Sequence, residues 1–465
     1  MNAPFLWIFL PFVLGGILLL LRNQKVITLI ACIFTFFLTL AAWLLPIDTV
    51  MIVGTWTFKL TSSVDILGRQ LVLGSNDLSL LALIYGSAIV WFAAASVTQS
   101  ARRLNSLGLS IVALLVAALA VEPFLYAALL IEMAVLLSIP LLSAPGKSPG
   151  RGLIRFLIFQ TFAMPFILFS GWLLAGIDAN PGDLGLVQQA AVLIGLGFTF
   201  LLAIFPFHSW IPHLTEESSP ITVGFILWMF PTVALFFGLG FLDHYSWLRD
   251  APALNNVLTS VGLLMIVSGG ILAALQQHLG RIMGYAVIME TGFSMLTISL
   301  VKTIGLNIFF MLLVPRTLCL VVWALSVAIL KGQSSTLFLS DTKGLVRTFP
   351  FAASGLVLAN LAFAGMPILA GFPPHQAIWE GLASASYPTL IWALIGSLGL
   401  LFSAVRMMIA FSAAPEGVHW ESHETGAQRV LLSTGFLAIL LLGLFPQWVL
   451  PLWTRLPAIF SHLGK

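Results

Sequence analysis

Long apolar segments follow one another along almost the whole chain, separated by short clusters of charged, polar, Pro or Gly residues. A helix needs about 20 apolar residues to cross a bilayer. The pattern predicts fourteen such helices, at about 4–22, 26–45, 78–98, 104–121, 123–143, 153–175, 186–211, 219–243, 254–275, 281–301, 304–330, 346–366, 385–411 and 428–449. The sequence therefore predicts an all-α integral membrane protein.

Composition supports this fold class and excludes several functions. The chain has 465 residues, of which 60% are hydrophobic and 8% charged, and a net charge of +3 that is too small and too scattered for nucleic-acid binding. Cys32 and Cys319 lie within apolar segments, which favours core packing over a disulfide or zinc site. The first segment lacks a basic n-region and a cleavage site, so we expect a retained span.

No stretch is long and polar enough to form a water-soluble domain. We therefore expect no cofactor and no active site in this chain, so any redox centre would belong to another polypeptide. No histidine and acidic residues have the spacing of a metal motif such as HExxH, and we expect no metal.

Loop charge predicts the orientation of the chain. With fourteen spans both termini lie on one side, which carries six basic residues: Lys59, Arg69, Arg249, Lys302, Arg455 and Lys465. The opposite side carries thirteen: Arg22, Lys25, Arg102, Arg103, Lys147, Arg151, Arg155, Arg281, Lys331, Lys343, Arg347, Arg406 and Arg429. The positive-inside rule then places both termini outside the cytoplasm. Alternating residues within 46–77 predict a short extracytoplasmic β-hairpin.

Prolines predict breaks in spans seven and twelve. Pro206 lies inside the seventh, and Pro367, Pro373 and Pro374 follow the twelfth. A broken helix at membrane depth is tolerated where protein or a cavity satisfies the backbone, and paired breaks are typical of inverted-repeat transporters. We predict two inverted five-helix repeats.

The predicted units are 1–103, with spans one to three and the hairpin 46–77; 104–243, the first repeat; 254–411, the second repeat; and 412–465, the last span with an interfacial tail.

Ionisable residues within the predicted spans are candidates for ion transfer. Glu132 and Glu290 each lie about ten residues into a span, and Arg316 lies near the middle of the span after that of Glu290. Such groups are costly in a membrane and are kept for a function or a partner. A carboxyl group suits a proton relay, whereas arginine stays charged. The structural alternatives are hydrogen-bonded core carboxyl groups and a buried Glu290–Arg316 pair.

Two histidines lie at the predicted breaks. His208 and His375 follow prolines in a shared Pro-x-His pattern, and imidazole exchanges protons near neutral pH. A lone histidine on an apolar segment is usually a core residue. Matching positions at two breaks favour a role in a proton path for both.

These motifs resemble the antiporter-like, proton-translocating membrane subunits of respiratory complex I (NADH–quinone oxidoreductase), a family shared with multisubunit cation/proton antiporters and membrane-bound hydrogenases. The matching segments are PFHSWIP at Pro206–Pro212, Ser219-Pro220 with Thr222, Asn76–Ser79, Gln276–Arg281, Ala364–Pro367 with Ala370–Phe372, and Arg406. The resemblance covers essentially the whole chain. It implies fourteen spans with both termini outside and a functional glutamate at Glu132.

The sequence departs from this family at its lysines. The resemblance implies lysines at the positions of Leu201, Pro231 and, in the eleventh span, Leu318, and a further lysine at His375. A buried lysine with a lowered pKa loads and releases a proton, which leucine and proline cannot do. We therefore expect a degenerate first half and a route through the second half.

The leading hypothesis is a subunit of a complex I-like redox-driven assembly in a prokaryotic plasma (inner) membrane that contributes to proton or sodium translocation. Its expected partners are other membrane subunits, the bilayer, and protons or sodium ions. The chain would belong to a proton-translocating oxidoreductase without holding an active site. A non-conducting structural subunit and a subunit of a secondary cation/proton antiporter are the alternatives.

Overall fold

The computed structural model describes residues 2–53, 56–66, 68–98, 101–143, 146, 148–179, 184–300, 305–332, 336–413 and 419–463. Three basic residues used for the orientation argument, Lys147, Lys302 and Lys465, lie outside these ranges. The described helices are α1 (Leu10–Leu20), α2 (Gln24–Leu44), α3 (Leu78–Ala95), α4 (Ala101–Ala120), α5 (Ala127–Leu142), α6 (Arg151–Ala179), α7 (Leu184–Leu201), α8 (Trp210–Glu217), α9 (Pro220–His244), α10 (Ser246–Arg249), α11 (Pro252–Leu275), α12 (Leu279–Ser299), α13 (Gly305–Lys331), α14 (Leu345–Thr348), α15 (Pro350–Phe363), α16 (Phe372–Ala385), α17 (Tyr387–Ser412), α18 (Gly426–Leu444) and α19 (Leu450–Trp453).

Eleven of the described helices are long and apolar enough to cross a membrane, namely α2 to α6, α9, α11 to α13, α17 and α18. Three shorter apolar helices, Phe5–Leu20, Gly185–Leu201 and Pro350–Phe363, occupy the positions of predicted spans one, seven and twelve. The all-α integral membrane fold is therefore confirmed. Helices α7 and α15, which occupy the positions of predicted spans seven and twelve, are short because a break ends each of them.

The segment 46–77 forms two hairpins where the sequence predicted one. Strand β1 (Val50–Val53) pairs with β2 (Trp56–Lys59), and β3 (Ser63–Ile66) pairs with β4 (Arg69–Val72), both antiparallel. Strand β5 (Val121–Glu122), directly after α4, pairs with β4. This last pairing joins residues about fifty positions apart, which local alternation in the sequence cannot reveal.

Both predicted helix breaks are present. Helix α7 ends at Leu201, the non-glycine residue Ala203 has φ +54°, and α8 begins at Trp210. Helix α15 ends at Phe363, Gly365 and Ile368 both have φ +75°, and α16 begins at Phe372. Positive φ is costly for residues with a Cβ, so the surrounding packing must hold both turns in place.

The second break depends on a close helix contact. A Cβ atom on Gly371 would lie 1.9 Å from the carbonyl oxygen of Ala362, so only glycine lets the chain pass the end of α15. This approach turns the first residues of α16 back toward the centre of the bundle, where α9, α12 and α13 are almost entirely buried.

Small residues also bring α11 against α17, and α11 in turn packs along α12. A Cβ on Gly270 would lie 2.0 Å from the carbonyl oxygen of Gly396, and one on Gly396 would lie 2.6 Å from that of Ile266. Helices in membranes associate through such small residues because lipid gives no hydrophobic drive between them.

We predict that Gly270→Ala destabilises the protein, because the methyl group forces α11 and α17 apart. Overpacking of this kind costs about 1–3 kcal/mol. Gly195→Ala in α7 is the matched control, since no atom lies within 4 Å of the added methyl group. Thermal unfolding in detergent, followed by tryptophan fluorescence, should show a lower midpoint for the first variant and an unchanged or higher midpoint for the second. Equal midpoints would contradict the close contact.

His278 gives α12 a cap that depends on pH. Its Nδ1 accepts a hydrogen bond from the backbone N–H of Gly280 at 3.1 Å, so this atom must be unprotonated. Burial lowers the pKa of His278 from its ordinary value of 6.5; the charge of Glu216 opposes this, and Arg281 and Lys331 add to it. The folded state thus binds fewer protons than the unfolded state. The neutral His278 cap therefore stabilises the folded state fully above the pKa that His278 has in the unfolded chain. This stabilisation is lost as the pH falls from that value toward the lower pKa of His278 in the folded state.

We expect His278→Asn to remove this part of the pH dependence, because asparagine caps a helix without titrating. The unfolding midpoint of the wild type should fall between about pH 7.5 and about pH 5, and that of the variant should fall less. His419→Asn, at an exposed position outside the helices, should keep the wild-type dependence. Identical curves for wild type and His278→Asn would refute the titrating cap.

Candidate functional site

A carboxyl group and an imidazole meet in the buried centre of the second half. Glu290 on α12 is 2% exposed and His375 in the first turns of α16 is 1% exposed. Glu290 Oε1 lies 3.4 Å from His375 Nε2, which is within ion-pair distance. The structure therefore brings together two residues that lie 85 positions apart in the sequence.

The backbone at the break fixes the orientation of the imidazole. His375 Nδ1 lies 2.7 Å from the carbonyl oxygen of Gly371. A carbonyl only accepts, so Nδ1 carries a hydrogen and Nε2 faces the carboxyl group. Nε2 without a proton and an ionised carboxylate would be two acceptors side by side. The arrangement is favourable when one proton resides on either Glu290 or His375.

Aromatic side chains surround the pair. The ring of Phe293 meets the His375 ring edge-on with centroids 4.5 Å apart, and Trp379 lies 5.9 Å away. These contacts restrict rotation of the imidazole and shield it from lipid. In such an environment charge interactions are stronger than in water.

Arg316 lies on α13 beside this pair and is 1% exposed. Its Nη2 donates to Thr291 Oγ1 at 3.1 Å, and Thr291 is adjacent to Glu290. Among the described residues no salt bridge joins Arg316 to a carboxylate, and its Nε and Nη1 have no hydrogen-bond partner. The structure thus pairs Glu290 with His375 and leaves Arg316 as a fixed positive charge nearby.

His208 lies at the first break and faces the same helix as the pair. It is buried, stacked on Phe205 with centroids 5.3 Å apart, and lies 6.3 Å from the ring of Tyr285. Tyr285 precedes Glu290 by five residues on α12, a rise of about 7.5 Å. Both breaks therefore contact the same buried helix, although Tyr285 and Glu290 point to different sides of it.

Glu132 has a different environment. It is partly buried on α5, and its Oε1 accepts a hydrogen bond from Thr161 Oγ1 of α6 at 2.8 Å. Within the described part of the chain no basic residue forms a salt bridge with it. The structure brings Glu132 together with a hydroxyl group and not with the other four candidates.

Three of the four positions where the resemblance implies lysines are apolar in the structure as well. Leu201 is 2% exposed, and its carbonyl at the end of α7 accepts a hydrogen bond from Gln160 Nε2 at 3.2 Å. Pro231 is buried within α9, and Leu318 is partly buried within α13. None of these side chains is able to hold a proton.

Several polar residues near the site were not singled out from the sequence. Asn360 on α15 precedes the second break and donates to Ser403 Oγ of α17 at 2.6 Å. Gln160, Thr161 and Thr291 are the others, each bonded as described above. Single polar residues within an apolar segment are the available signal, although serine and threonine commonly bond their own helix and are therefore weak markers.

No group of three or more His, Cys, Asp or Glu residues within the described ranges is arranged to hold a metal ion. The site contains one carboxyl group, one imidazole and one guanidinium group. Such a set suits the transfer of a proton or the passage of a small cation.

Comparison with known proteins identifies a related family. The family model described as NADH:quinone oxidoreductase/Mrp antiporter, TM, matches residues 184–403, which include both breaks, α12 and His375. NADH-quinone oxidoreductase subunit N of Ectopseudomonas mendocina is 26% identical over 330 residues, which cover 64% of this chain and 64% of that protein. The match thus spans somewhat less than two thirds of that relative.

The fold is shared along the whole chain. A chain of respiratory complex I from Thermus thermophilus with bound NADH superposes with a TM-score of 0.77 at 20% identity and covers 100% of both chains. A chain of the Mrp complex from Dietzia sp. DQ12-45-1b gives a TM-score of 0.79 at 15% identity, covering 99% of this chain and 97% of that one. The resemblance seen in the sequence is confirmed: residues 184–403, somewhat under half of the chain, match the family model, and the whole chain has the fold of these antiporter-like membrane proteins.

Proposed function

We propose that the chain is a membrane subunit of a complex I-like, redox-driven assembly and that it contributes to the translocation of protons or sodium ions. The observation that carries this proposal is the buried Glu290–His375 pair at the second helix break, with atoms 3.4 Å apart. A carboxyl group and an imidazole in contact at membrane depth are costly to keep for structure alone.

The pair has the chemistry of a proton carrier. In one state the proton is bound to the Glu290 carboxyl group, and in the other it is bound to His375 Nε2 while Nδ1–H stays on the Gly371 carbonyl. Only one bond to hydrogen breaks and one forms. The fixed charge of Arg316 lies beside both states, so a shift of the proton changes the local field without moving a second ion.

The first half is proposed to be degenerate. Its carboxyl group, Glu132, is bonded to Thr161, and its two lysine positions are Leu201 and Pro231. Without a basic partner this carboxyl group has no neighbour to exchange a proton with. Transport would therefore depend on the second half.

The proposal extends to partners and location. Other membrane subunits would surround the chain and carry the redox centres, and this chain would hold no cofactor. The relatives are bacterial, which supports the bacterial inner membrane, and the distribution of basic loop residues supports extracytoplasmic termini. The division into repeats at 104–243 and 254–411 belongs to the same proposal.

Two alternatives have support of their own. The apolar side chains at positions 201 and 231 fit a non-conducting subunit that holds its neighbours together. The family model covers antiporters as well as quinone oxidoreductases, which fits a secondary cation/proton antiporter working without electron transfer.

We predict that Glu290→Gln and His375→Gln each reduce ion uptake coupled to electron transfer by about a hundredfold or more, because each removes a positioned proton carrier. Uptake would be measured in membrane vesicles that contain the assembled complex, with assembly checked by native electrophoresis. Glu380→Gln is the matched control, since this carboxyl group is exposed on the same helix as His375. Full uptake by both site variants would support the non-conducting role, and uptake independent of electron donor would support the antiporter.

We predict that Glu132→Gln leaves uptake close to the wild-type level. The amide oxygen of glutamine can still accept the hydrogen bond from Thr161, and the lost ionisation has no basic partner to serve. The same vesicles and donor are used, so the two carboxyl groups are compared directly. A loss as large as that of Glu290→Gln would show that the first half conducts.

A further inference from the structure

A cavity of about 830 Å³ lies where α2 begins, between this helix and the end of α3, and the proposed ion path does not use it. Its lining changes from polar to apolar along α2. The end near the start of α2 is polar, and Leu29, Cys32 and Ala93 line the part further along α2 and α3. The residues that line it are Asn23, Gln24, Lys25, Thr28, Leu29, Cys32, Ala93 and Ser96.

Hydrogen bonds between helices hold the polar walls of this cavity in place. Gln24 Nε2 donates to the carbonyl of Thr98 at 2.9 Å, and Asn105 Nδ2 of α4 donates to Thr28 Oγ1 at 2.8 Å. The side chain of Asn23 caps α2 by accepting from the N–H of Lys25 at 3.0 Å. These groups are engaged within the protein, so they shape the opening.

Lys25 supplies charge at the polar end. It is exposed, and among the described residues its ammonium group has no salt bridge or hydrogen-bond partner. Three more basic residues lie at the adjoining helix ends: Arg22, Arg102 and Arg103. The four acidic residues of 1–122 all lie toward the opposite ends of these helices: Asp48, Asp65, Asp77 and Glu122. The end of the N-terminal helices that carries Lys25 is therefore positively charged, and no acidic residue of 1–122 lies there to neutralise it.

We propose that this cavity binds one anionic phospholipid, with its phosphate at Lys25 and an acyl chain along Leu29, Cys32 and Ala93. The depth profile matches a lipid, since the polar residues lie where the predicted membrane span Gln24–Leu44 begins and the apolar residues lie within it. Basic pockets between membrane helices bind anionic head groups in this way. This site is independent of the proposed transport, so either proposal stands if the other fails.

The chain carries a natural reporter for this site. Cys32 lines the cavity and is partly exposed, whereas Cys319, the other cysteine, is buried. In a Cys319→Ser background Cys32 is the sole thiol, and its rate of modification by a maleimide reports whether the cavity is filled. The full chain, in the assembly with which it purifies, would be placed in nanodiscs of phosphatidylcholine alone or of phosphatidylcholine mixed with phosphatidylglycerol.

We expect slower modification of Cys32 in the discs with phosphatidylglycerol. Lys25→Gln should weaken the protection and reduce the phosphatidylglycerol retained in native mass spectrometry about fivefold, since one basic residue contributes about 1 kcal/mol to anionic lipid binding. Lys343→Gln, at an exposed lysine elsewhere in the chain, is the matched control and should keep both protection and lipid.

Three outcomes would overturn the proposal: equal modification rates in both kinds of disc, equal lipid retention by Lys25→Gln and wild type, or protection by inorganic phosphate alone in detergent. The last result would identify a site for a free anion instead of a lipid. Lys25→Arg, which keeps the charge, should restore protection, so a variant that merely misfolds is distinguished from one that has lost the lipid.

Discussion

The cost of burying ionisable groups at membrane depth determines the arrangement of this protein. A lone carboxylate or imidazolium loses its hydration in the bilayer, and the loss is tolerable when a partner is held in contact. Glu290 and His375 satisfy this requirement for each other. The contact requires His375 to enter the bundle between fully packed helices, and the break between α15 and α16 makes that entry possible.

The break in turn depends on backbone groups that a continuous helix would satisfy internally. Its carbonyls need donors, because lipid offers none. The Gly371 carbonyl accepts from the backbone N–H of His375 and also from its Nδ1–H, so the candidate side chain also stabilises the turn that positions it. The turn also needs glycine at position 371, because any Cβ atom there would collide with the carbonyl oxygen of Ala362. Site and fold are thus specified by the same few residues.

Much of this architecture could be predicted from the sequence, because apolar length and proline position are local signals. The membrane helices, both breaks and the candidate residues Glu290 and His375 follow from them. The partner of Glu290 could not be predicted in this way. Adjacent spans suggested Arg316, whereas the turn at the second break brings in His375 from a helix four places later in the chain. Two other contacts could not be predicted because each joins segments that are distant in the sequence: the pairing of β5 with β4 and the hydrogen bond from Thr161 to Glu132.

The two halves differ in what their central groups can exchange. In the second half, Oε1 of a carboxyl group faces Nε2 of an imidazole, and one proton suffices to make their contact favourable in either state. In the first half, the carboxyl group of Glu132 faces a threonine hydroxyl that neither gains nor loses a proton near neutral pH, and Leu201 offers only a backbone carbonyl. Because α12 carries Glu290 and also Tyr285 beside His208, the first break remains in contact with the second half. The first break therefore packs against the helix that carries Glu290.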